Sequence, residues 1–519
     1  MLFVQFAGYQ ATEGAQMLIK TICVVAVLSV YSAAAVAAVP RASCRKGDKP
    51  ESGLQGETTQ AEVDSGANKL GFNCNTDLVG QNQGEGANWQ LAAWKNCAYY
   101  DQAIYLQSQM QHPGTVVLDV SDPSNPQVTD YLTTPAMLDP WESLKVNAKR
   151  QLLAGDQGTY PNSGPGFAIY DISADCRHPV LKSSVNLPGS FGHTGQWAPD
   201  GNTYYITPLR PTPSIIPVDT TDTSNPKEIL LWTAPSPYNP VFHDLEFSKD
   251  GNTAYVSMIG GGTRGANGLL VLDVSDVQSR KSNPDIRVLG SVIWDDGSTT
   301  AQNALPVTIA GKPYIVFTDE GGLGAAGCSA GKSAHGFPRF IDVSDPKNPT
   351  VVSKLMLDVQ DPANCSKSVS GIRGTPSGPP NYSCHYCNVN DADNATLMAC
   401  SCFNAGLRIF DIHDPLSPKE IAYYKPRARG TQVLPGSEYF SFILSGNTSF
   451  DRPVDYTSAK PSFPKDRGMT SGDIWTTSHD NAFMVIHLDR GGGGCGSMGG
   501  VDASVVLGLL ALLRRRRRG

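Results

Sequence analysis

Short apolar runs that end in an aspartate recur along this chain, and a proline-containing polar turn follows most of them. The first clear copy is VVLDVSDPSNP, which begins at Val116 and places Asp119 and Asp122 around the turn. Further copies begin at Gly166, Ile215, Gly268, Gly336 and Gly406. Alternating segments such as QVTDYL follow the turns, and Ser, Asp and Pro are turn residues. Each copy is therefore predicted to form a strand, a turn and a second strand.

The copies recur at a regular spacing. The aligned aspartates are Asp119, Asp171, Asp219, Asp273, Asp342 and Asp411. They are separated by 52, 48, 54, 69 and 69 residues. A period near 50 residues is typical of propeller blades or another repeat array.

Two further strands lie upstream of the repeated turn in each unit. HTGQWAPDGNTYYIT begins at His193 and HDLEFSKDGNTAYVSM at His243, and both contain Asp-Gly between alternating segments, which is a hairpin signal. Four antiparallel strands in about 50 residues make one propeller blade. The predicted fold is all-β, a β-propeller of about seven four-stranded blades. Eight blades stay open as an alternative, because the two intervals of 69 residues contain insertions.

The segments at both ends of the repeats complete the predicted ring. Residues 472–490 form a seventh, partial unit with two short strands and without the repeated turn. LGFNCNTDLVG, residues 70–80, is a candidate strand that closes the ring. We therefore assign the propeller to residues 70–490 and predict a poorly structured segment at residues 39–69.

The chain termini indicate export. Residues 1–38 have the pattern of a signal peptide whose start is Met17, with an Ala-x-Ala site near its end. An N-terminal membrane anchor is the alternative. Residues 491–519 contain Cys495 within a glycine-rich stretch, a short apolar run and five arginines. This tail resembles Myxo-type C-terminal sorting signals of bacterial surface proteins. The resemblance implies processing near Cys495 and display at the cell surface or outer envelope; a plain membrane anchor is the alternative.

The charge balance excludes one class of partner. The net charge is -7, and part of the positive charge lies in the arginine tail. The remaining body is more acidic still, so nucleic acid is not an expected partner.

Several repeat copies identify a family. LDVSDPSNP, VLDVSDV, FIDVSDPKNP and IFDIHDPLSP resemble the LVIVD-repeat family of exported bacterial β-propellers. The resemblance extends over roughly residues 73–488. It implies the propeller fold and leaves the function open, since propellers host binding, scaffolding and many chemistries.

The repeated aspartates offer two interpretations. Paired carboxylates could bind calcium or act as an acid and a base, but near-identical copies favour a structural role in capping turns. A single active site needs one asymmetric constellation, and calcium needs more oxygen ligands in a tight loop.

The histidines offer a more specific hypothesis. His193 and His243 occupy the same repeat position, His385 plausibly matches them, and Asp244 and Glu246 lie close to His243 in sequence. The matching positions in two other blades are near Trp141-Glu142 and Gln302-Asn303. If these residues begin the innermost strands, they meet at one mouth of the channel, where imidazoles could bind a divalent metal ion. The alternative is that they satisfy backbone groups of neighbouring blades.

The cysteines favour disulfides. Ten remain after removal of Cys23 and Cys495, an even number in an exported chain. Cys384, Cys387, Cys400 and Cys402 flank a predicted hairpin, so that Cys387 would face Cys400, with Cys384 and Cys402 one step further out. Zinc binding and free thiols are the alternatives. Cys328 and Cys365 form a further candidate pair, whereas the connectivity of Cys44, Cys74, Cys97 and Cys176 stays open.

Two functions follow from the sequence. The first is a surface-displayed propeller that binds or scaffolds a protein, glycan or small ligand, without catalysis. The second is a metal-dependent propeller enzyme, an oxidase or hydrolase, with His193, His243 and His385 as ligands. The distance between these imidazoles in the fold distinguishes the two functions, because a shared metal ion requires the three side chains to lie within reach of one another.

Overall fold

The strands of this protein assemble into seven small antiparallel sheets arranged in a ring. The computed structural model describes residues 38–157, 166–187, 192–208, 214–238, 241–260, 267–365, 367, 382–429, 434–437, 455–464 and 472–490. The predicted signal peptide, apart from its last residue, and the sorting tail with Cys495 lie outside the described residues. The fold is the predicted β-propeller, with seven blades rather than eight.

The N-terminal part supplies a helix and two strands. They are α1 (Gln60–Asp64), β1 (Phe72–Cys74) and β2 (Thr76–Asn82), with a 3-10 helix at Ala67–Leu70 before β1. Blade I consists of β3 (Leu91–Trp94), β4 (Cys97–Tyr100), β5 (Thr115–Asp119) and β6 (Gln127–Leu132). Blade II consists of β7 (Lys145–Asn147), β8 (Leu152–Asp156), β9 (Gly166–Asp171) and β10 (Val180–Asn186).

The next three blades follow the same plan. Blade III consists of β11 (Thr194–Trp197), β12 (Thr203–Thr207), β13 (Ser214–Asp219), β14 (Lys227–Glu228) and β15 (Trp232–Thr233). Blade IV consists of β16 (Val241–Phe247), β17 (Thr253–Ile259), β18 (Gly268–Asp273) and β19 (Arg287–Ile293). Blade V consists of β20 (Ala301–Ile309), β21 (Lys312–Asp319), β22 (Arg339–Asp342) and β23 (Thr350–Lys354).

The last two blades include strands from both ends of the propeller. Blade VI consists of β24 (Tyr386–Val389), β25 (Leu397–Cys402), β26 (Gly406–Asp411) and β27 (Lys419–Lys425), with β1 as a fifth strand. Blade VII consists of β28 (Asp473–Ser478) and β29 (Ala482–Leu488), with β2 on the outside. The short helices between strands are α2 (Pro135–Leu138), α3 (Ser275–Gln278) and α4 (Ala325–Ser329), with 3-10 helices at Ile104–Gln109 and Pro362–Asn364.

The N-terminal strands close the ring, as the 70–80 segment predicts. β2 pairs with β29, and β1 pairs with β27, so one short segment joins blades VI and VII. On the inner side of blade VII, Ser462 exchanges two backbone hydrogen bonds of 2.9 Å with Trp475 of β28. This segment takes the place of the fourth strand.

Residues 39–69 contain more structure than their sequence predicts. α1 begins with a capping box formed by Thr59 and Glu62. Glu51 lies 2.7 Å from the buried Arg408 of β26, which also pairs with Glu420 at 3.0 Å. A buried guanidinium needs such partners, because an unpaired buried charge costs several kcal/mol. These contacts across the chain fix a segment whose local sequence pattern is uninformative.

The hydrophobic core lies between the blades. Successive residues of a strand face opposite sides of the sheet. Tyr204 therefore packs against blade II, whereas its neighbour Tyr205 packs against blade IV. Similar clusters fill each junction, including the one between blades VII and I around Trp475 and Phe483. The first strands of successive blades contact one another, which places them around the central axis.

Candidate functional site

One residue at or near the innermost segment of each blade contributes to a ring at one mouth of the channel. In blade order the members of this mouth ring are Gln90, Glu142, His193, His243, Gln302, His385 and Ser458. Hydrogen bonds link them from blade to blade. Gln90 Nε2 donates to the Glu142 carbonyl at 3.0 Å, and His385 Nδ1 lies 2.9 Å from the Ser458 carbonyl. The position is the same in every blade, but its residue type changes.

Glu142, His193 and His243 converge within the mouth ring. The His193 and His243 Nε2 atoms lie 3.0 Å apart. Glu142 Oε2 lies 3.0 Å from His243 Nε2 and 3.4 Å from His193 Nε2. One potential ligand atom from each residue thus lies within 4.8 Å of the other two, the arrangement expected of a metal-binding group.

The backbone orients the His243 imidazole. Its Nδ1 lies 3.1 Å from the Gln302 carbonyl, and a carbonyl can only accept, so Nδ1 carries the proton. Nε2 therefore faces Glu142 and His193. A backbone carbonyl on the far nitrogen is the usual partner that fixes a metal-binding histidine.

Two β-bulges position ring members. The pairing of β16 with β17 shifts register between Phe242 and Leu245, and that of β20 with β21 shifts between Ala301 and Asn303. His243 and Gln302 lie within these irregular segments. Bulges often lie beside active sites, where they re-aim a side chain.

His385 occupies the other side of Glu142. Its Nε2 lies 2.8 Å from Glu142 Oε1 and 3.3 Å from Glu320 Oε2. With Nδ1 donating to a carbonyl and Nε2 facing two carboxylates, both nitrogens act as donors, so the ring is an imidazolium. His385 therefore orients and balances Glu142 and is not part of the convergent group, although the sequence suggested it as a ligand.

The charges of the mouth ring are strongly coupled. Burial alone would lower the pKa of His385, but the Glu142 carboxylate outweighs burial and raises that pKa to about 10. Burial opposes a charged His243 as well, and Glu142 again raises its pKa above the ordinary value. Burial alone would raise the pKa of Glu142, yet His243 and His385 hold it well below its usual range. The Glu142 carboxylate is thus ionised in the metal-free protein.

The spacing of these atoms fits a small cation. Zinc binds histidine nitrogen and carboxylate oxygen at about 2.0–2.2 Å, so neighbouring ligand atoms around a tetrahedral ion lie roughly 3.3 Å apart. The three observed separations are 3.0, 3.0 and 3.4 Å. Gln302 Nε2 donates to Glu142 Oε1 at 2.7 Å, which leaves Oε2 for an ion.

Strained aromatic residues lie beside His193 and His385. Trp141 has φ +49°, an unfavourable conformation for a bulky residue, and its ring centroid lies 5.9 Å from that of His193. Phe403 has φ +20° and its centroid lies 5.2 Å from that of His385. Such strain concentrates at functional sites.

Two acidic residues suggested by the sequence lie elsewhere. Asp244 is buried below the mouth ring, where its Oδ2 accepts hydrogen bonds from Asn303 and Tyr386 at 3.0 and 3.2 Å. Glu246 pairs with Lys460 at 2.7 Å. Strand alternation separates both from His243, so neither contributes to the convergent group.

Sequence reasoning did not single out Glu142, Gln302 or Glu320. The repeat alignment marks positions near Trp141-Glu142 and Gln302-Asn303 as equivalent to His193, and this equivalence is the signal that identifies the first two. Glu320 follows the second strand of blade V, and only the fold brings it to His385.

The repeated aspartates cap turns. Asp119 Oδ1 accepts the Ser121 amide at 2.8 Å, and Asp122 Oδ1 accepts the Ser124 amide at 2.9 Å. The same hydrogen bond, in which the backbone amide two residues later donates to the aspartate Oδ1, recurs at Asp171, Asp219, Asp273, Asp342 and Asp411. The structural interpretation of these residues is confirmed.

All ten cysteines within the described residues form disulfides. The pairs are Cys44–Cys74, Cys97–Cys176, Cys328–Cys365, Cys384–Cys402 and Cys387–Cys400. Both pairs predicted across the blade VI hairpin and the Cys328–Cys365 pair are present. Five disulfides are consistent with an exported protein.

Comparison with known protein families supports the repeat. The LVIVD repeat model matches residues 111–134, which contain the first repeated turn. No curated protein sequence matches the chain. Among the described residues, no helix is long and apolar enough to cross a membrane.

Several solved structures resemble the chain at low sequence identity. A Lactobacillus plantarum protein is 15% identical over 62% of this chain and 80% of its own, with a TM-score of 0.41. The periplasmic gluconolactonase of Pseudomonas aeruginosa is 12% identical over 65% of this chain and 85% of its own, with a TM-score of 0.41. Sqt1 from Chaetomium thermophilum is 12% identical over 81% of this chain and 87% of its own, with a TM-score of 0.43.

Proposed function

We propose that this propeller binds one divalent transition-metal ion at its central mouth through Glu142, His193 and His243. The observation that carries the proposal is the convergence of two Nε2 atoms and one carboxylate oxygen at separations of 3.0 to 3.4 Å. The Gln302 backbone carbonyl orients His243, and the Gln302 side-chain amide donates to Glu142. Supporting contacts of this kind are typical of metal sites.

The donor set favours a particular class of ion. Imidazole suits zinc, copper, iron and nickel, whereas calcium and magnesium prefer oxygen ligands alone. The cysteines of the described residues are all paired, so thiolates from them do not compete. We expect zinc, copper or iron.

The number of protein ligands favours catalysis. Structural zinc sites are closed by four protein ligands, whereas catalytic sites use three and leave one position open. A bound ion would supply Lewis acidity at the mouth. The side chain of His193 is 13% exposed and that of Glu320 27% exposed, so solvent reaches the group from the mouth. This supports the metal-dependent enzyme over the non-catalytic binding or scaffolding module, which the sequence favoured.

We also propose that the protein acts outside the cytoplasm, at the bacterial cell surface. The five disulfides support export, and the sequence patterns of residues 1–38 and 491–519 support a signal peptide and a sorting tail attached to the cell envelope. Mass spectrometry of the mature C-terminus tests the second point. Cleavage near Cys495, with loss of Arg514 to Arg518, is the expected result. An intact arginine tail contradicts processing.

Metal analysis of protein purified from an oxidising compartment tests the central proposal. We expect about one ion per chain in the native protein and loss of that ion in a His243→Ala variant. His413→Ala is the matched control, because His413 lies in an outer turn with its side chain 69% exposed. Native protein that takes up none of zinc, copper, iron, nickel and manganese would overturn the proposal. Equal metal content in His243→Ala would remove His243 from the site.

A further inference from the structure

Residues 39–58 lie against blades V and VI without forming a helix or a strand. This segment is named the N-terminal strap here. Its first anchor is Val39, which is 6% exposed and packs in the apolar core shared by blades V and VI. The Val39 amide donates to the Met356 carbonyl at 2.8 Å, and the Pro40 carbonyl accepts the Glu420 amide of β27 at 3.1 Å. The strap thus bridges the two blades.

The second anchor is a pair of buried cations on blade VI. Glu51 of the strap accepts hydrogen bonds from both terminal nitrogens of Arg408, at 2.7 and 3.0 Å. Lys425 is 2% exposed, and its Nζ donates to three strap oxygens: Glu51 Oε2 at 3.4 Å and the carbonyls of Gly56 and Glu57 at 3.1 and 2.7 Å. Burial lowers the pKa of Lys425 to about 8, and Glu51 opposes this shift. An open strap would leave this buried charge without its partners, which is strongly unfavourable.

Gly56 lets the strap approach the blades closely. Its φ is +96°, and an added Cβ would lie 2.8 Å from Val359 Cγ2 and 3.2 Å from Leu357 Cδ1. The preceding residue, Gln55, donates its amide to Asp358 Oδ2 at 3.1 Å. Docking therefore depends on a few specific contacts and not on a ladder of strand hydrogen bonds. Segments held in this way open locally at a lower free energy than the strands they cover.

The Cys44–Cys74 disulfide ties the strap covalently to the propeller. It joins the part of the strap between the two anchors to β1, the fifth strand of blade VI. Cys44 is half-buried, as is Cys328 of the Cys328–Cys365 pair, whereas both residues of the other three disulfides are buried. Accessible disulfides exchange with thiols more readily than buried ones. Cys44–Cys74 is therefore open to reduction while the blades stay folded.

We infer that the N-terminal strap is a latch, which opens and closes apart from the blades and is locked by the Cys44–Cys74 bond. In the locking step each thiol loses one proton and one electron, and the S–S bond forms. A disulfide-carrying oxidant accepts both protons and both electrons and becomes a dithiol. In a reducing compartment the thiols persist, so non-covalent contacts alone hold the strap. Locking would then follow export, which rests on the proposed location, whereas the latch itself depends on neither the location nor the metal ion.

Hydrogen–deuterium exchange of the purified protein, read by mass spectrometry, tests the latch. The variant is the double substitution Cys44→Ser/Cys74→Ser. We expect its peptides from residues 39–58 to exchange about 30-fold faster or more, because a disulfide typically contributes at least about 2 kcal/mol. Peptides from β25 and β26 should change much less. Cys328→Ser/Cys365→Ser is the matched control, since it removes a disulfide of similar exposure outside the strap, and it should leave the strap at the native rate.

Two results would overturn the inference. Equal exchange of the strap in native protein and in Cys44→Ser/Cys74→Ser would show that the disulfide does not hold the strap closed. Exchange of the strap and of β25 and β26 at one common rate would show that the strap does not open as a separate unit.

A second variant tests the same latch with every disulfide intact, and it decides the matter if the double variant fails to fold. Glu51→Gln removes the charge that faces Arg408 and Lys425, so exchange of residues 39–58 should rise about tenfold or more, as loss of a charged hydrogen bond implies. Asp64→Asn is the control, because Asp64 is exposed and lies just beyond the strap. Unchanged exchange in Glu51→Gln would contradict anchoring of the strap by the buried cations.

Discussion

Two positions of the repeat differ in how much their residue type varies between blades. The position at the outer rim is uniform, and the position at the central mouth is variable. At the rim, six blades end their third strand with aspartate, and each carboxylate accepts the amide two residues onward. At the mouth, seven blades present four residue types, and three of those residues converge on one point. A repeated residue performs the same local task in every blade. A single asymmetric site uses unlike residues, and for this reason we propose that the variable position carries the chemistry.

The largest effect that separates the two regions is a pH dependence of stability. In metal-free protein the folded pKa of His385 is about 10, against about 6.5 in the unfolded chain. Because the folded pKa is raised, this proton stabilises the fold fully below about pH 6.5, and the contribution is lost as pH rises through about 10. The difference amounts to roughly 5 kcal/mol at most. Urea unfolding between these pH values measures it.

A substitution assigns that pH dependence to the mouth ring. His385→Gln should flatten the alkaline loss of stability, whereas His413→Gln at the rim should leave it unchanged. The same slope in His385→Gln and in native protein would show that the coupling with Glu142 does not control stability.

The next largest effect is on metal affinity. Glu142→Gln keeps the shape of the side chain but removes its charge, and we expect affinity for zinc to fall by about 100-fold or more, or about 2.7 kcal/mol. Competition titration with a coloured chelator measures it. Asp122→Asn, at an exposed rim turn, should bind zinc as tightly as native protein. Equal losses in the two variants would erase the distinction between mouth and rim.

A smaller effect on zinc affinity should come from Gln302, which supports the proposed ligand Glu142. Gln302→Leu removes the amide that donates to Glu142 Oε1 at 2.7 Å, and contacts of this kind are worth about 10- to 100-fold in metal affinity. The backbone carbonyl of residue 302 still accepts the hydrogen bond from His243 Nδ1, so the conformation of the bulge should persist. The same chelator titration measures the loss, with Gln127→Leu as the rim control. Unchanged affinity in Gln302→Leu would mean that Glu142 needs no orientation from this side.

The smallest effect should be the uniform contribution of the rim. Asp119→Ala or Asp342→Ala removes a turn cap, at a cost of about 1 kcal/mol in unfolding free energy. The cost should be similar in each blade, and metal binding should not change. Thermal and urea unfolding measure the first, and the chelator titration measures the second. A rim variant that lost metal would contradict the assignment of these aspartates to architecture.

The sequence predicts the rim well because the rim is local. A strand, an aspartate, a proline turn and a second strand lie within about fifteen residues, and propensity and turn chemistry act at that distance. The same holds for Cys387 and Cys400, which face each other across one hairpin. The closing strand at residues 76–82 is predictable from its position before the first blade.

The mouth is predictable only in part. His193 and His243 can be aligned by repeat position, and the fold brings them together. Asp244 and Glu246 are close to His243 in sequence, but strand alternation and a bulge turn their side chains away from it. Asp244 binds Asn303 and Tyr386, and Glu246 pairs with Lys460. Ser458 and Glu320 meet the ring only through contacts across blades, which no local pattern records. Glu142 occupies the aligned position, and its importance follows from the two imidazoles that approach it.

X-ray absorption spectroscopy of protein purified with its native metal content tests the central claim most directly. The proposed metal centre predicts one ion per chain in a shell of nitrogen and oxygen at about 2.0–2.2 Å, with an imidazole scattering pattern from two histidines. The pattern should weaken in His243→Ala and persist in His413→Ala. A metal-free protein, a shell that contains sulfur, or a spectrum unchanged by His243→Ala would contradict a metal centre built by Glu142, His193 and His243.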